Sequence, residues 1–156
     1  MDALKALYTT TEGRIGRQQW WLGVLGIFVA SIVLSIVLGI VGLGPQSVWG
    51  QLITLLILLY PNYCLSLKRR HDRNNNGKDL QILLGVSVLL SLLVALGIGV
   101  DYVDVGGGTM MPMPGGLLSA VYFILALGGL YLFVNLGILK GTEGPNDYGP
   151  DPLIRA

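Results

Sequence analysis

Long apolar stretches alternate with short polar segments along the whole chain. Four of these stretches contain no lysine, arginine, aspartate or glutamate. About 20 mainly apolar residues are enough for an α-helix to cross the hydrocarbon core of a bilayer. The pattern therefore predicts an all-α integral membrane protein with a single membrane domain over residues 1–156. The predicted spans lie at about 20–43, 49–67, 80–100 and 116–139.

The polar segments between the spans predict how the helices are connected. Only Gly-Pro-Gln-Ser at 44–47 separates the first two spans, so these two form an antiparallel hairpin. The loop at 68–79 leads into a second hairpin, and the two hairpins together predict a four-helix bundle. In the leader at 1–17, apolar side chains recur at helical spacing and predict a short interfacial helix.

Composition agrees with a membrane protein. Of the 156 residues, 53% are hydrophobic and 12% are charged, and the mean hydropathy is +0.67. A soluble domain normally carries about 25% charged residues. These values argue against a soluble enzyme, a nucleic-acid-binding protein and a disordered chain.

The basic residues predict the orientation in the membrane. All ten lie in the leader, in the loop at 68–79 or in the tail at 140–156, and the segments at 44–47 and 101–115 have none. Lysine and arginine concentrate in cytoplasmic loops. Both termini and the central loop are therefore expected to be cytoplasmic. The glycine- and methionine-rich segment at 101–116 is expected to be an irregular loop, and the sequence assigns it no role.

The loop at 68–79 is the richest polar segment, with half of the basic residues and the only histidine, His71. Three interpretations stay open. In the first, the loop fixes the topology and touches anionic lipid headgroups. In the second, His71 and Asp72 belong to a polar site ordered by the leader and the tail. In the third, His71 is catalytic, which is less favoured because adjacent side chains point in different directions and no nucleophile is nearby.

The tail carries three acids opposite this basic loop, Glu143, Asp147 and Asp151. A tail that folds back would bring opposite charges together. We therefore expect the tail acids to face Arg69, Arg70 and His71.

No cofactor or metal ion is expected. Asp72, Asn74, Asn76 and Gly77 match the first ligand positions of a calcium loop, but its position 12, which requires a glutamate, is Leu83. Asn and Gly both tolerate left-handed backbone, so a turn at this place explains the same residues better.

Three polar motifs together resemble those of the DUF805 family of small bacterial inner-membrane proteins. The resemblance covers essentially the whole chain, and it implies a location in the bacterial cytoplasmic (inner) membrane without implying an activity, a substrate or a catalytic residue. The motifs are Gly13-Arg14-Ile15-Gly16-Arg17 with Trp20-Trp21, Lys68-Arg69-x-His71-Asp72 with Asn76-Gly77, and Gly144-Pro145-Asn146-x-Tyr148-Gly149-x-Asp151-Pro152.

In the predicted topology all three motifs lie at the cytoplasmic face of the membrane. We therefore expect their polar side chains to form one cluster there. Its predicted members are Arg14, Arg17, Arg69, His71, Asp72, Asn146, Tyr148 and Asp151.

The sequence favours a non-enzymatic membrane component that binds a partner protein or anionic lipid headgroups through this cluster. The alternative is a small transporter or channel, including one that works as a homo-oligomer. It ranks second because no ionisable side chain lies within a predicted span, where ion-coupled transporters usually carry one. A lipid-headgroup enzyme using His71 and Asp72 ranks third.

Overall fold

The structure, a computed structural model, describes residues 2–108 and 110–153. Its main elements are four helices long and apolar enough to cross a membrane. Between 6% and 22% of the residues in their most apolar windows are buried inside the protein, so most apolar side chains face outward and indicate a membrane protein. The helices are α2 (Arg17–Ile40), α3 (Val48–His71), α4 (Lys78–Ala95) and α5 (Gly116–Phe133), which continues as a π-helix (Val134–Ile138); a short α1 (Asp2–Thr9) precedes them.

The hairpin between α2 and α3 depends on close backbone contact. Ser47 caps α3, because its Oγ accepts a hydrogen bond from the Gly50 amide at 3.3 Å. A Cβ atom at Gly50 would lie 2.8 Å from the carbonyl carbon of Leu43 and 3.0 Å from the Gly44 oxygen. Only glycine lets the first turn of α3 pass this close to the preceding turn.

The turn between α3 and α4 is formed by asparagine side chains and left-handed backbone. Asn74 has φ +53° and Gly77 has φ +72°. Asn75 Oδ1 accepts the Gly77 amide at 2.8 Å, and Asn76 Oδ1 accepts the Lys78 amide at 3.1 Å. The chain reverses here as the Asn-Gly composition predicted, and α4 begins directly afterwards at Lys78.

Neighbouring helices pack in chain order. α2 packs against α3, α3 against α4 and α4 against α5, while the π-helix contacts α2 and α3. A small apolar core lies where the π-helix contacts α2 and α3. It consists of Ile15, Trp20, Leu65 and Leu136, with Leu7, Tyr8, Val24, Ile27 and Leu132 packed around it.

The segment between the third and fourth spans is a β-hairpin, so the prediction of an all-α chain with an irregular loop at 101–116 was wrong here. β1 (Val100–Asp104) pairs antiparallel with β2 (Met110–Pro114). Helix α4 ends at Ala95, before the predicted limit at 100, because glycines with φ near +70° at 97 and 99 interrupt the helical backbone. Hydropathy alone does not distinguish an apolar helix end from an apolar strand.

The fourth span also departs from a regular α-helix at its end. The Leu139 amide donates to the Val134 carbonyl at 3.0 Å, which is the spacing of a π-helix. The wider turn includes three buried residues, Asn135, Leu136 and Gly137. It brings polar backbone and an asparagine side chain to the end of the molecule where the leader and the tail also meet.

Candidate functional site

Three polar segments meet at one end of the molecule and form what we call the polar cap. It consists of the leader (residues 2–16), the end of α3 with its following turn (68–77), and the tail (139–153). Nine consecutive residues at 64–72 are buried, including Lys68, Arg69, Arg70 and Asp72. A buried charge is costly unless it is paired and hydrogen-bonded, so the partners of these side chains determine what the cap can do.

Asp72 is the centre of the cap. Its Oδ1 accepts hydrogen bonds from Arg14 Nε at 3.2 Å and Arg14 Nη2 at 3.0 Å, and its Oδ2 accepts one from Arg69 Nη1. The side chains of Arg14, Arg69 and Asp72 are 1%, 0% and 4% exposed. One carboxylate thus neutralises part of the charge of two buried arginines that are far apart in sequence.

The other donors of Arg14 bind the tail. Nη1 donates to the Gly144 carbonyl at 2.8 Å and to the Gly149 carbonyl at 3.2 Å, and Nη2 donates to the Thr142 carbonyl at 2.7 Å. A guanidinium has five N–H donors in a fixed plane, which suits several acceptors in one layer. Arg14 therefore joins the leader to the tail as well as to α3.

The other donors of Arg69 bind the end of the fourth span. Nε donates to the Leu136 carbonyl at 2.9 Å, and Nη2 donates to the Leu139 carbonyl. Both carbonyls lie at the C-terminal end of the fourth span, where backbone oxygens run out of helical donors, so Arg69 supplies hydrogen bonds to this helix end. Its role in the structure is to connect α3 to the π-helix.

The tail passes directly over the backbone of Asp72. The Thr142 amide donates to the Asp72 carbonyl at 2.8 Å, and Thr142 Oγ1 donates to the same oxygen at 3.0 Å. A Cβ atom at Gly141 would lie 2.9 Å from that carbonyl oxygen and would overlap the Asp72 carboxylate. The close approach of the tail therefore requires glycine at 141.

His71 is enclosed by the leader and the tail. Its Nδ1 lies 3.3 Å from the Gly13 carbonyl, which can only accept, so Nδ1 carries the proton in this hydrogen bond. Its ring stacks on Tyr148 with 3.9 Å between centroids and 6° between planes. Asn146 Nδ2 donates to the His71 carbonyl at 2.9 Å. His71, Asn146 and Tyr148 are thus in direct contact, while the Asp72 carboxylate is occupied by the two arginines.

The remaining predicted members, Arg17 and Asp151, lie at the edge of the cap. Arg17 is exposed, and its Nη1 donates to the Ile138 carbonyl at 2.9 Å. The Asp151 carboxylate accepts the amides of Leu153 and Gly144, each at 2.9 Å. These amide hydrogen bonds, that of Leu153 first, lower the pKa of Asp151 below its ordinary value.

The predicted pairing of the tail acids with the basic loop was wrong. In the part of the chain that the structure describes, the three ion pairs join Arg14 and Arg69 to Asp72, and Arg70 to Asp79. The tail contributes carbonyl oxygens to Arg14 and Arg69, and no carboxylate of Glu143, Asp147 or Asp151 pairs with an arginine among the described residues. Arg155, counted among the basic tail residues, lies outside the described residues.

A second polar cluster was missed by the sequence analysis. Arg70 donates to Asp79 Oδ2, to Asn135 Oδ1 at 3.2 Å and to the Tyr131 hydroxyl at 3.3 Å, and Arg73 donates to the same asparagine oxygen. Asn135 is the one strongly polar side chain in the last apolar stretch. A single polar residue in such a stretch is a sequence signal for a polar contact between helices. Its partners depend on the π-helix, which the sequence does not indicate.

Two recesses flank the cap. The first recess has a volume of about 490 Å³ and lies between the start of α2 and the tail. Its charged lining residues are three basic ones, Arg17, Arg69 and Lys140, and three acidic ones, Asp72, Glu143 and Asp151. We call it the cationic recess after Arg17 and Lys140, which are exposed, because Arg69 and Asp72 are buried and pair with each other. The acidic recess has a volume of about 470 Å³ and lies between the leader, α3 and the tail; it is lined by Thr11, Glu12, Gly13, Tyr63, Leu67, His71, Asp147 and Tyr148.

Comparison with known proteins agrees with the resemblance seen in the motifs. Residues 8–150 match the family described as a protein of unknown function, DUF805. The chain belongs to the DUF805 family. It is also 26% identical over 141 residues to the uncharacterized protein YiiR of Escherichia coli, in strain K12 and in O157:H7, covering 90% of this chain and 84% of the relative. No solved structure matches.

The part of this DUF805 chain that matches the family contains the central contacts of the cap, from Arg14 to the Gly149 carbonyl. Among the described residues, no group of three or more His, Cys, Asp or Glu side chains could hold a metal ion. The buried part of the cap binds segments of its own chain, and the two recesses beside it are open to a ligand.

Proposed function

We propose that this DUF805 protein lies in the bacterial cytoplasmic membrane with the polar cap and both termini in the cytoplasm. Nine of the ten basic residues belong to the leader, the start of α2, the end of α3 with its following turn, the start of α4 or the start of the tail, which supports this orientation. The β-hairpin, which carries Asp101 and Asp104, then faces the other side.

Cysteine labelling in intact cells tests the orientation. Cys64 is buried, so it gives little background labelling. A membrane-impermeant maleimide is expected to label Val105→Cys, at the exposed hairpin, from outside the cells. Glu143→Cys, in the exposed tail, is expected to react only after permeabilisation. The opposite labelling pattern would refute the proposed topology.

We further propose that the protein is a non-enzymatic membrane component that binds anionic lipid headgroups in the cationic recess. The observation that carries this proposal is the position of Arg17 and Lys140 at the rim of a recess of about 490 Å³. Arg17 is the first residue of α2 and Lys140 closely follows the π-helix, so both side chains are expected close to the depth of the lipid phosphates. Both are exposed.

The buried arginines are poorly suited to this role. Arg14 and Arg69 are almost fully buried, and their donors are used by Asp72 and by backbone carbonyls. The lipid-binding role expected for the whole cluster is therefore proposed for Arg17 and Lys140. Of the two tail acids that line the recess, Asp151 is hydrogen-bonded to backbone amides, which leaves Glu143 as the main opposing charge.

Lipid selectivity in mixed nanodiscs tests the binding proposal. Each basic residue near an anionic surface contributes about 1 kcal/mol, so losing both is expected to weaken binding by about 30-fold. The test compares Arg17→Gln/Lys140→Gln with Lys5→Gln/Lys78→Gln, which removes two exposed charges outside the recess. Native mass spectrometry measures retained phosphatidylglycerol against phosphatidylcholine.

Selective loss of phosphatidylglycerol in the recess variant supports the proposal. Equal loss in both variants would indicate general surface attraction and refute a specific site. Unchanged lipid binding together with loss of a co-purifying protein would favour a protein partner. The alternative of a transporter or channel has no specific contact in its favour among the described residues.

A further inference from the structure

One face of α3 connects an apolar groove with the acidic recess. Leu56, Tyr60 and Tyr63 line a groove between α3 and α4, and Tyr63, Leu67 and His71 line the acidic recess. These residues follow one another at spacings of three and four, which places them on one side of the helix. Tyr63 lines both cavities, so the groove and the recess adjoin at this residue.

The groove has room for an aliphatic chain. Its volume is about 450 Å³, and its walls are mostly leucine, valine and tyrosine. From Leu56 to Tyr63 the helix rises about 10 Å, so the groove follows the long axis of a lipid chain. Nothing lies within 4 Å of a Cβ atom built on Gly85, which lines the groove from α4. The space above Gly85 is therefore open to the membrane.

A hydroxyl group lies where groove and recess meet. The Tyr63 hydroxyl accepts a hydrogen bond from Gln81 Nε2 at 2.7 Å. Its own proton has no acceptor among the residues that the structure describes. A tyrosine hydroxyl both donates and accepts, so this proton is available to an ester or phosphate oxygen of a lipid.

The acidic recess favours a positive charge. Glu12 and Asp147 line it, both are exposed, and neither forms an ion pair within the described parts of the chain. The other polar wall is the stacked pair of His71 and Tyr148, whose imidazole Nδ1 donates to a backbone carbonyl. The two carboxylates can accept hydrogen bonds from an ammonium group, which carries three donors.

We infer that the groove and the acidic recess form one binding site for a bilayer lipid with a primary-amine headgroup. One acyl chain lies along the α3–α4 groove, the ester region reaches the Tyr63 hydroxyl, and the ammonium group binds between Glu12 and Asp147. The rise of about 12 Å from Tyr63 to His71 leaves space for a phosphate and a short amine-bearing group. This site lies apart from the cationic recess and does not depend on it.

The headgroup, rather than the chain, determines selectivity at this site. An acyl chain that moves from the bilayer into the groove exchanges one apolar environment for another, so it gains little hydrophobic free energy. The primary ammonium group donates charge-assisted hydrogen bonds to the two carboxylates. An uncharged polyol headgroup can donate only neutral hydroxyl groups to them. Phosphatidylethanolamine is therefore expected to bind better than phosphatidylglycerol or phosphatidylcholine.

The test uses the full-length protein in nanodiscs of equal phosphatidylethanolamine, phosphatidylglycerol and phosphatidylcholine, with native mass spectrometry of the retained lipids. Glu12→Gln and Asp147→Asn are each expected to lower the retained phosphatidylethanolamine by about 1.4- to fivefold, the range for exposed ion pairs. Glu143→Gln removes a tail acid outside the site and is expected to have no effect.

A second pair of variants tests the groove. Gly85→Leu fills the groove and is expected to lower the amount of retained phosphatidylethanolamine. Gly129→Leu, whose Cβ position also has no atom within 4 Å, is expected to leave that amount unchanged.

The outcomes separate this inference from the proposed function. Arg17→Gln/Lys140→Gln is expected to leave phosphatidylethanolamine bound, and Glu12→Gln/Asp147→Asn is expected to leave phosphatidylglycerol bound. Equal retention of the three lipids by the wild type would overturn the inference. If the wild type retained phosphatidylcholine as well as phosphatidylethanolamine but less phosphatidylglycerol, the primary-amine assignment would be overturned. If Glu12→Gln/Asp147→Asn retained as much phosphatidylethanolamine as the wild type, the proposed headgroup position would be overturned.

Discussion

The two ends of the same helices are built in different ways. At the polar cap, residues 64–72 are all buried, and Arg69 has no exposed surface. At the other end, Ile40 is 81% exposed and Leu117 is 85% exposed, next to a largely exposed hairpin. Lipid tails are as apolar as leucine, so burial of apolar surface does little to hold helices together in a membrane. We therefore expect the polar contacts at the cap to hold the helices together more strongly than the contacts at the other end.

The largest expected effect is at Asp72. Asp72→Ala leaves Arg14 and Arg69 buried without their carboxylate, which typically costs about 3–5 kcal/mol. Asp101→Ala, at the exposed hairpin of the other end, is the matched control. Thermal unfolding in mild detergent, followed by size-exclusion chromatography, measures both. If the two variants were equally stable, the cap would not be the end that holds the helices together.

Gly141 tests whether close packing of the tail matters in addition to charge. Gly141→Ala places a Cβ against the Asp72 carboxylate and 2.9 Å from its carbonyl oxygen, so the tail must shift. Overpacking of this kind costs about 1–3 kcal/mol. Gly129→Ala has open space at the same atom and is expected to keep the wild-type unfolding temperature. Equal unfolding temperatures would mean that the tail adapts at no measurable cost.

The sequence predicts the apolar part of this structure better than the polar part. The four apolar helices, the turn through Asn75 and Gly77 and the family follow from hydropathy, local turn chemistry and short motifs. The hairpin at 100–114 was missed because a glycine- and methionine-rich composition is also typical of an irregular loop. The valine and tyrosine residues of Val-Asp-Tyr-Val, followed by turn glycines at 106–108, are the signal for a strand and a turn.

The partners of the arginines could not be predicted for a different reason. Tail acids are visible in a sequence, whereas a carbonyl oxygen such as that of Thr142 or Leu136 is present at every residue and carries no signal. Arg14 and Arg69 bind mainly these backbone groups, together with Asp72. Which carbonyls are available depends on the π-helix and on the path of the tail, and both are properties of the folded chain.

Two tryptophans with similar exposure allow a smaller and cleaner comparison of the two ends. Trp21 and Trp49 are 43% and 47% exposed. Within the described parts of the chain, only Trp21, near the cap, donates its Nε1 proton to a backbone carbonyl, that of Gly137 at 3.2 Å. Trp21→Phe loses this hydrogen bond, with an expected cost of about 1 kcal/mol. Trp49→Phe is expected to have a smaller effect on unfolding in detergent. The reverse order would show that interfacial anchoring outweighs cap contacts.

The smallest expected effect concerns acid sensitivity of the tail. The amides of Leu153 and Gly144, and secondarily the charge of Arg14, hold the pKa of Asp151 below its ordinary value. A carboxylate with a lowered folded pKa stabilises the fold fully above its unfolded pKa, and this contribution is lost as the pH falls through the folded value. The Gly144 and Leu153 amides are therefore expected to lose protection against hydrogen exchange at acid pH in the wild type.

Asp151→Asn should remove this pH-dependent loss of protection. Asp104→Asn makes the same change of charge at the hairpin and should keep it. If Asp151→Asn retains the step, another group controls the tail, and the cap depends on acid through residues other than Asp151.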